Sequence, residues 1–272
     1  MADASAGGAS CSILAREAAL LRDTVREAGA LALSLFRTDL RNWTKGASSP
    51  VSEADIAVND LLEDRLRSAT PDYGWLSEES ADDDARLDMQ RVWIVDPIDG
   101  TRGYLAGRED WCVSVALVEN SSPVLAAVFA PASGEFFVAA RGRGAVRNDV
   151  RVHATPGVGL DFSRIAGPKP LVQRLSRAAG DVALHPRIGS LALRLCRVAD
   201  GSLDAAFAGG QSRDWDLAAA NLIVQEANGN MTALSGEAIQ FNRREVTHGV
   251  LVAAGRDRHA KIVEHFRQFP LP

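Results

Sequence analysis

The chain has 272 residues, of which 46% are hydrophobic and 24% are charged, and its formal net charge is −5. This length allows one large domain or two modest ones. The acidic balance argues against nucleic-acid binding as the main function, because the usual basic surface is missing. No apolar run approaches the roughly 18 residues of a membrane-spanning helix. We therefore expect neither a nucleic acid nor a membrane as a partner.

The cysteines and the N-terminus indicate a cellular location. Cys11, Cys112 and Cys196 are scattered and form no C-x-x-C pair. Such a set is typical of reduced thiols rather than of a disulfide framework or a zinc site. The first ten residues, MADASAGGAS, lack the basic and apolar regions of a secretory signal. The sequence therefore predicts a cytoplasmic protein with a frayed N-terminal tail.

The first part of the chain shows two helical patterns. Apolar residues alternate at steps of four and three from Leu14 to Leu35, which predicts one face of an amphipathic helix. Ser12 precedes this pattern and is a candidate N-cap. After the loop TKGASSPVS, a second helix is expected from about Glu53 to Ala69, where a Thr-Pro pair ends it.

Strand patterns follow these helices. The stretch RVWIV predicts a strand buried on both faces, which should end at Asp96 because Pro97 cannot donate to a ladder. The segments WCVSVALVEN, PVLAAVFAPAS and GEFFVAARGRGAVRND predict further strands joined by turns. Beyond Pro156, strand and helix patterns alternate. We therefore predict a helix pair with an antiparallel sheet in residues 1–150 and an α/β half in residues 151–272.

The stretch WIVDPIDGT carries the clearest functional signal, since an apolar run leads into Asp96 and Asp99. Gly100 permits a tight turn, and Thr101 is expected to open a short helix whose N–H groups can receive an anion. Two carboxylates this close repel each other, so a cation is expected between them. Oxygen donors without a nearby His or Cys favour Mg²⁺ over zinc.

Two further acidic segments are candidates for the same site. WLSEES carries Glu78 and Glu79, and DWDLAAANLIVQEANG carries Asp214 and Asp216 at the start of a predicted helix. Each has an ordinary structural alternative. Aspartates are common in Pro-containing turns, Asp214 could be an N-cap, and a first-turn Asp216 favours the helix dipole. A helix start is equally a place from which a carboxylate can be directed at a metal.

Together, SPVSEAD, WLSEES, WIVDPIDGT and WDLAAANLIVQEANG stand in the order found in the inositol monophosphatase superfamily of Mg²⁺-dependent, lithium-sensitive phosphatases. The chain resembles this superfamily over nearly its whole length. The resemblance implies an α/β fold in the form of a five-layer α-β-α-β-α sandwich, hydrolysis of a small phosphate ester, and two or three bound Mg²⁺ ions. Relatives are often homodimers, so a homodimer is a further expectation.

The same resemblance implies roles for individual residues. The metal ligands would be Glu78, Asp96, the backbone carbonyl of Ile98, Asp99 and Asp216. Gly100 and Thr101 would hold the phosphate through backbone N–H groups. Thr101, oriented by Asp55 and helped by Glu78, would position the attacking water. Lys45 is a further candidate at this site.

Other phosphate-handling classes fit less well. Phosphatases that form an aspartyl-phosphate carry two aspartates one residue apart, whereas Asp96 and Asp99 are further apart. The chain has no G-x-x-x-x-G-K-[ST] loop and no G-x-S-x-G motif. RGRGAVRND has Arg147 where a third glycine would stand, so it predicts a hairpin turn. A regulatory homologue without activity would have lost a ligand acid, and none is missing.

The branch of the superfamily is indicated by two positions. Arg102 follows the D-G-T motif, as a basic residue does in 3'(2'),5'-bisphosphate nucleotidases of the CysQ type. Gly209 stands where inositol monophosphatases usually carry a glutamate, which would repel a second phosphate. The candidate partners of a second phosphate are Arg102, Arg108, Arg187, Arg194 and Arg213, and we select Arg102 and Arg213. The expected substrate is adenosine 3',5'-bisphosphate, with inositol 1-phosphate and then fructose 1,6-bisphosphate as alternatives.

Overall fold

The computed structural model describes residues 4–45, 49–160, 163–179 and 182–271, with the backbone alone for 4–13, 49 and 178–179. The helices are α1 (Ala4–Leu35), α2 (Glu53–Ala69), α3 (Thr101–Leu105), α4 (Lys169–Ala179), α5 (Leu191–Ala199), α6 (Asp214–Glu226) and α7 (Arg256–Gln268). The strands are β1 (Asn42–Lys45), β2 (Ser49–Ser52), β3 (Gly74–Ser77), β4 (Arg91–Asp99), β5 (Cys112–Glu119), β6 (Ser122–Ala130), β7 (Glu135–Ala140), β8 (Gly144–Arg147), β9 (Val150–Arg151), β10 (Arg164–Ala166), β11 (Ala183–Leu184), β12 (Ala205–Ala208), β13 (Ser212–Arg213), β14 (Gly229–Ala233), β15 (Thr247–His248) and β16 (Leu251–Gly255).

The first sheet has seven strands in the order β3-β4-β5-β6-β7-β8-β9, and α1 and α2 cover one face of it. The β3–β4 pair is parallel and the other pairs are antiparallel. Strand periodicity places Trp93 and Val95 in the core with α1 and α2, while Val92 and Ile94 lie in the core on the opposite face. The predicted burial of RVWIV on both faces is therefore confirmed.

The middle layer consists of α5 and α6. Helix α6 is buried almost all round, from Leu217 to Val224, as expected of a helix between two sheets. On one side it contacts β4, β5, β6 and β7, and on the other it contacts β14. One hydrophobic core joins both sheets through this helix, since it contains Ala116 and Val128 of the first sheet and Ala206 and Ala253 of the second.

The second sheet has the order β11-β10-β12-β16-β14, with β11, β10 and β12 parallel and the remaining pairs antiparallel. Its outer face packs against α4 and α7 in a separate core that includes Ile165, Phe207 and Val252. Helices and sheets thus alternate in five layers, and the predicted α-β-α-β-α sandwich is confirmed. The division of the chain near residue 150 stays a prediction, because the two parts share the core around α6.

Several predicted boundaries were wrong. Helix α1 begins at Ala4 instead of after Ser12, so Ser12 lies within it and Ala4–Ser10 is not a frayed tail. Part of the predicted loop TKGASSPVS forms the β1–β2 hairpin, and residues 46–48 of it lie outside the described residues.

Strand β4 also continues beyond the predicted end at Asp96. It pairs with β3 only as far as Val95, so Pro97 has no β3 partner to which an N–H would be donated. On the β5 side the register shifts between Asp96 and Asp99. Pro97 is therefore accommodated within β4, in a stretch where the strand has no neighbour on the β3 side and pairs irregularly with β5. The strand ends at Asp99.

Two smaller expectations concern cysteines and membrane helices. Cys112 and Cys196 are free and buried, and the side chain of Cys11 lies outside the described residues. In the part of the chain that the structure describes, none of the helices combines the length and the apolarity that crossing a lipid bilayer requires.

Gly255, at the end of β16, tests how closely this strand packs against the segment around Thr155. A Cβ atom here would overlap the backbone carbonyl oxygen of Thr155, which no side-chain rotation can relieve. We expect Gly255→Ala to lower the free energy of unfolding by about 1–3 kcal/mol through overpacking. The matched change Gly249→Ala, where a Cβ would have no atom within 4 Å, should cost nothing. Urea denaturation of both variants is the measurement, and equal midpoints would contradict this packing.

Candidate metal centre

A cavity of about 180 Å³ lies at the end of β4, where the two halves of the chain meet. It is lined by Pro50, Glu78, Asp96, Ile98, Asp99, Gly100, Thr101, Arg102, Gly103, Arg108, Arg187, Gly189 and Asp216. The predicted metal ligands and phosphate-binding residues are therefore brought together in one place. They come from the end of β3, the end of β4, the start of α3 and the start of α6.

Three aspartates form the centre of this cavity. One carboxylate oxygen from each of Asp96, Asp99 and Asp216 lies within 4.8 Å of the others. Asp96 and Asp99 are buried at the end of β4, and Asp216 is half-buried in the first turn of α6. Glu78 follows β3 and lines the same cavity, held by its backbone N–H, which donates to the carbonyl oxygen of Val95 at 3.2 Å.

The carboxylates repel one another strongly. Burial, and then repulsion by Asp216, raises the pKa of Glu78 to about 8. Burial and repulsion by Asp99 raise the pKa of Asp216 to about 7. Burial followed by repulsion from Glu78 raises the pKa of Asp96 well above its ordinary value. In the absence of a cation, the cluster thus holds protons at neutral pH.

The start of α5 fixes the orientation of Asp99. The Ser190 hydroxyl donates to Asp99 Oδ2 at 2.7 Å, and the backbone N–H of Ala192 donates to the same oxygen at 2.5 Å. Burial raises the pKa of Asp99, and these hydrogen bonds act in the opposite direction. Sequence reasoning did not select Ser190. Its only signal was the position of a serine before the helical pattern LALRLCRVA, which is typical of an N-cap.

A second side of the metal cavity is formed by Gly100 and Thr101, with Asp55 in contact with Thr101. Gly100 has φ 99°, a left-handed conformation that favours glycine, and its carbonyl accepts the first hydrogen bonds of α3. Thr101 Oγ1 lies 3.0 Å from Asp55 Oδ1 and 3.0 Å from the carbonyl oxygen of Ile98. Asp55 Oδ2 accepts from the backbone N–H and the hydroxyl of Ser52. Asp55 is therefore held rigidly beneath the hydroxyl of Thr101.

The donor set fits a hard divalent cation. All the candidate ligands are oxygens, and Asp96 Oδ1 is buried without a hydrogen-bond partner among the described residues. An unpaired buried carboxylate oxygen is costly unless a proton or a cation compensates it. Oxygen-only donors are those that Mg²⁺ prefers, and thiolate or imidazole ligands for zinc are missing from the described cluster.

The other predicted site residues lie at different distances from this centre. Arg102 lines the cavity. The ammonium group of Lys45 contacts the carbonyl oxygen of Glu78 and lies 3.5 Å from Glu79 Oε2, so it borders the site without lining the cavity. Arg213 is placed over the ring of Trp215, 5.4 Å from its centroid, and it is not among the residues that line the cavity.

Asp214 has a supporting role that its sequence position did not reveal. It is the first residue of α6 rather than the N-cap, which is Arg213. Asp214 Oδ1 lies 2.6 Å from His248 Nε2, and Asp214 Oδ2 accepts from the backbone N–H of Asn242 at 2.7 Å. These buried contacts fix the start of α6 and with it the direction of Asp216.

Sequence comparison finds relatives over most of the chain. The inositol-1-monophosphatase of Rhizobium meliloti (strain 1021) is 34% identical over 240 residues, which cover 84% of this chain and 86% of that protein. The 3'(2'),5'-bisphosphate nucleotidase CysQ of Escherichia coli (strain K12) is 30% identical over 208 residues, covering 74% and 83%. The Nus factor SuhB of Xylella fastidiosa (strain Temecula1) is 36% identical over 197 residues, covering 68% and 69%.

Solved structures show the same fold. The extragenic suppressor protein suhB from Bartonella henselae aligns with a TM-score of 0.81 at 28% identity, over 92% of this chain and 98% of that chain. An IMPase/NADP phosphatase complexed with Mg²⁺ and phosphate aligns with a TM-score of 0.81 at 23% identity, over 93% and 95%, which bears on the fold alone. A sequence model of the inositol monophosphatase family matches residues 15–271, so the chain belongs to the inositol monophosphatase family, a family of phosphatases.

Proposed function

We propose that the protein is a Mg²⁺-dependent phosphomonoesterase that hydrolyses a small phosphate ester. The observation that carries this proposal is the convergence of three aspartates within 4.8 Å of one another, beside the turn at Gly100 and Thr101. Phosphoryl transfer needs charge neutralisation and an in-line nucleophile more than covalent help from the protein. The cavity offers sites for both requirements.

Two or three Mg²⁺ ions would be held by Glu78, Asp96, the carbonyl oxygen of Ile98, Asp99 and Asp216. Bound Mg²⁺ neutralises phosphate charge and lowers the pKa of water. The oxygen-only donor set supports the choice of ion. Inhibition by lithium, a cytoplasmic location and a homodimer, which the sequence or the resemblance implies, stay predictions.

The remaining residues act on the phosphate and on the attacking water. The N–H groups of Gly100 and Thr101 precede the first intrahelical hydrogen bonds of α3, which Gly103 and Tyr104 donate, so they are available to phosphate oxygens. When the Thr101 hydroxyl donates to Asp55, its oxygen lone pairs are left to accept a hydrogen bond from the attacking water and so to orient it. Glu78, at the edge of the same cavity, is placed to fix that water from a second side.

For the substrate we propose adenosine 3',5'-bisphosphate, with release of AMP and phosphate. Arg102, Arg108 and Arg187 all line the cavity, which favours an ester with a further negative charge. A Cβ at Gly209 would meet a single neighbouring atom, of Pro168 at 3.5 Å. The backbone here leaves room for a Cβ, so close packing does not by itself require glycine, and the absence of the family's usual glutamate fits a more anionic substrate.

Inositol 1-phosphate is the alternative substrate, and curated relatives carry both activities in their names. Fructose 1,6-bisphosphate is a weaker third candidate. A regulatory homologue without activity is the non-enzyme alternative, and one relative is named as a Nus factor. The retention of all four acidic side chains in the cavity favours the enzyme.

Removal of one central carboxylate should abolish catalysis. We expect Asp96→Asn to lower Mg²⁺-dependent turnover by at least about a hundred-fold, because it removes a charge from the cation site. The fold should persist, since Asn has nearly the same shape and one buried charge is lost. Asp64→Asn removes the same charge from an exposed position on α2 and serves as the control. Full activity of the Asp96 variant would refute the proposed site.

The substrate is tested by initial rates on adenosine 3',5'-bisphosphate, inositol 1-phosphate and fructose 1,6-bisphosphate, each with Mg²⁺ and with EDTA. We expect the highest kcat/KM for the nucleotide and no turnover in EDTA. A preference for inositol 1-phosphate would replace the substrate assignment but retain the enzyme class. Equal rates with Mg²⁺ and with EDTA would overturn the metal-dependent mechanism.

The pKa of Glu78 leads to a stability prediction for the protein in EDTA. The pKa of this carboxyl rises from 4.5 to about 8 on folding. At a pH between these two values, Glu78 therefore carries a proton in the folded state that it has lost in the unfolded state. The contribution of Glu78 to the free energy of unfolding therefore decreases as the pH rises from about 5 to about 8, by at most about 1.4 kcal/mol per pH unit.

Glu78→Gln should remove this contribution and become the more stable protein towards pH 8. Thermal unfolding of both proteins across this range is the measurement. Glu237→Gln, at an exposed position, is the control and should follow the wild type. A stability difference between Glu78→Gln and the wild type that does not change with pH would contradict the prediction.

A further inference from the structure

A second cavity, larger than the metal centre, adjoins it. It encloses about 630 Å³, compared with about 180 Å³ at the carboxylate cluster. Arg108 and Arg187 line both cavities and therefore form the wall between them. Beyond this wall the surface includes the apolar side chains of Ile188, Leu193 and Leu203.

The sizes of the two cavities indicate that they receive different parts of the substrate. Ligand pockets usually enclose about 300–1,000 Å³. The smaller cavity falls below this range and suits a phosphoryl group with its ions, whereas the larger one falls within it. An ester whose phosphoryl group lies at the aspartates and whose organic part lies in the larger cavity must pass Arg108 and Arg187.

The charges on this wall are unequally compensated. The acidic residues of the larger cavity already have partners, since Glu109 lies 3.2 Å from Arg37 and Asp110 lies 3.1 Å from Arg108. Arg197, on the same cavity, pairs with Glu135.

Arg187 differs from these residues. It is exposed, and it makes no hydrogen bond or ion pair with any residue of the described ranges. Its charge also acts on Arg194, whose pKa burial and Arg187 together lower. Arg108 has one carboxylate partner and presents its remaining donors near Gly103 and Gly189. The wall therefore carries an excess of positive charge directly beside the proposed reaction centre.

We propose that Arg187, with Arg108, binds a second phosphate of the substrate, and that the larger cavity receives its nucleoside. This inference rests on the proposed function and makes it more specific. A guanidinium offers several donors in a plane that matches phosphate oxygens. Arg187 is thus a specificity-determining residue, which favours bisphosphorylated over monophosphorylated nucleotides.

The test compares adenosine 3',5'-bisphosphate with adenosine 3'-monophosphate, which differ only in the 5'-phosphate. The measured quantity is the ratio of kcat/KM for the two substrates, in Mg²⁺. We expect the wild type to favour the bisphosphate, and Arg187→Gln to lower the ratio about ten- to a hundred-fold, the usual effect of losing a charged hydrogen bond. Arg187→Lys should recover part of it, because the charge remains but the planar donor pair is lost.

Arg256→Gln is the matched control. It removes the same charge from an exposed position on the outer helix α7 and should leave the ratio as in the wild type. Arg108→Gln should lower the ratio in the same direction as Arg187→Gln. Thermal unfolding of each variant verifies that the fold is intact.

The outcomes separate this inference from the proposed function. If the wild type hydrolyses the bisphosphate but Arg187→Gln leaves the ratio within about two-fold, the second-phosphate site is overturned while the phosphatase remains. If the wild type hydrolyses inositol 1-phosphate but not the nucleotide, the inference fails together with the nucleotide substrate. If no ester is hydrolysed with Mg²⁺, the proposed function itself fails.

Discussion

The mutual repulsion of the carboxylates at the end of β4 is the constraint on which the rest of the site depends. Asp96, Asp99 and Asp216 have oxygens within 4.8 Å of one another, and Glu78 adds its charge to theirs. An isolated loop could not hold such a group together, because its side chains would turn away into solvent. The acids must therefore be mounted on elements that packing has already fixed. This need explains why they lie at the ends of strands and at the start of a helix.

Helix α6 provides this rigidity. Its apolar residues are buried between the two sheets, so its position depends on both halves of the chain. The contacts of Asp214 with His248 and with Asn242 then fix its first turn. The start of α5, through Ser190, holds Asp99 in a similar way. Of the four described acids that line the cavity, the second half of the chain thus supplies one, Asp216, but it orients two.

The sequence predicted those parts of the structure that depend on local patterns. Helix α2, the strand RVWIV and the convergence of Asp96 with Asp216 follow from periodicity or from motifs, the last through the family resemblance. The passage of β4 through Pro97 was missed because it depends on where β3 ends, which is a contact between distant segments. Ser190 was missed for the same reason, since Asp99 is remote in sequence. Arg213 looked suitable by its position beside the motif, but its guanidinium lies over Trp215 instead of in the cavity.

The carboxylate cluster and the residues around it have different roles, since the first concerns the phosphoryl group and the second the rest of the ester. Every phosphate monoester presents the same phosphoryl group, so a site built from aspartates and backbone N–H groups cannot by itself distinguish an inositol from a nucleotide. Discrimination must come from residues that meet the remainder of the ester. Gly209 lacks the acidic side chain that inositol monophosphatases usually carry there, and at Arg187 there is a cation without an ion-pair partner among the described residues. Both differences support the proposed substrate, which carries more negative charge than one phosphate supplies. Because these two positions lie outside the helices and strands, substrate preference in this fold can change without disturbing the packing that holds the acids together.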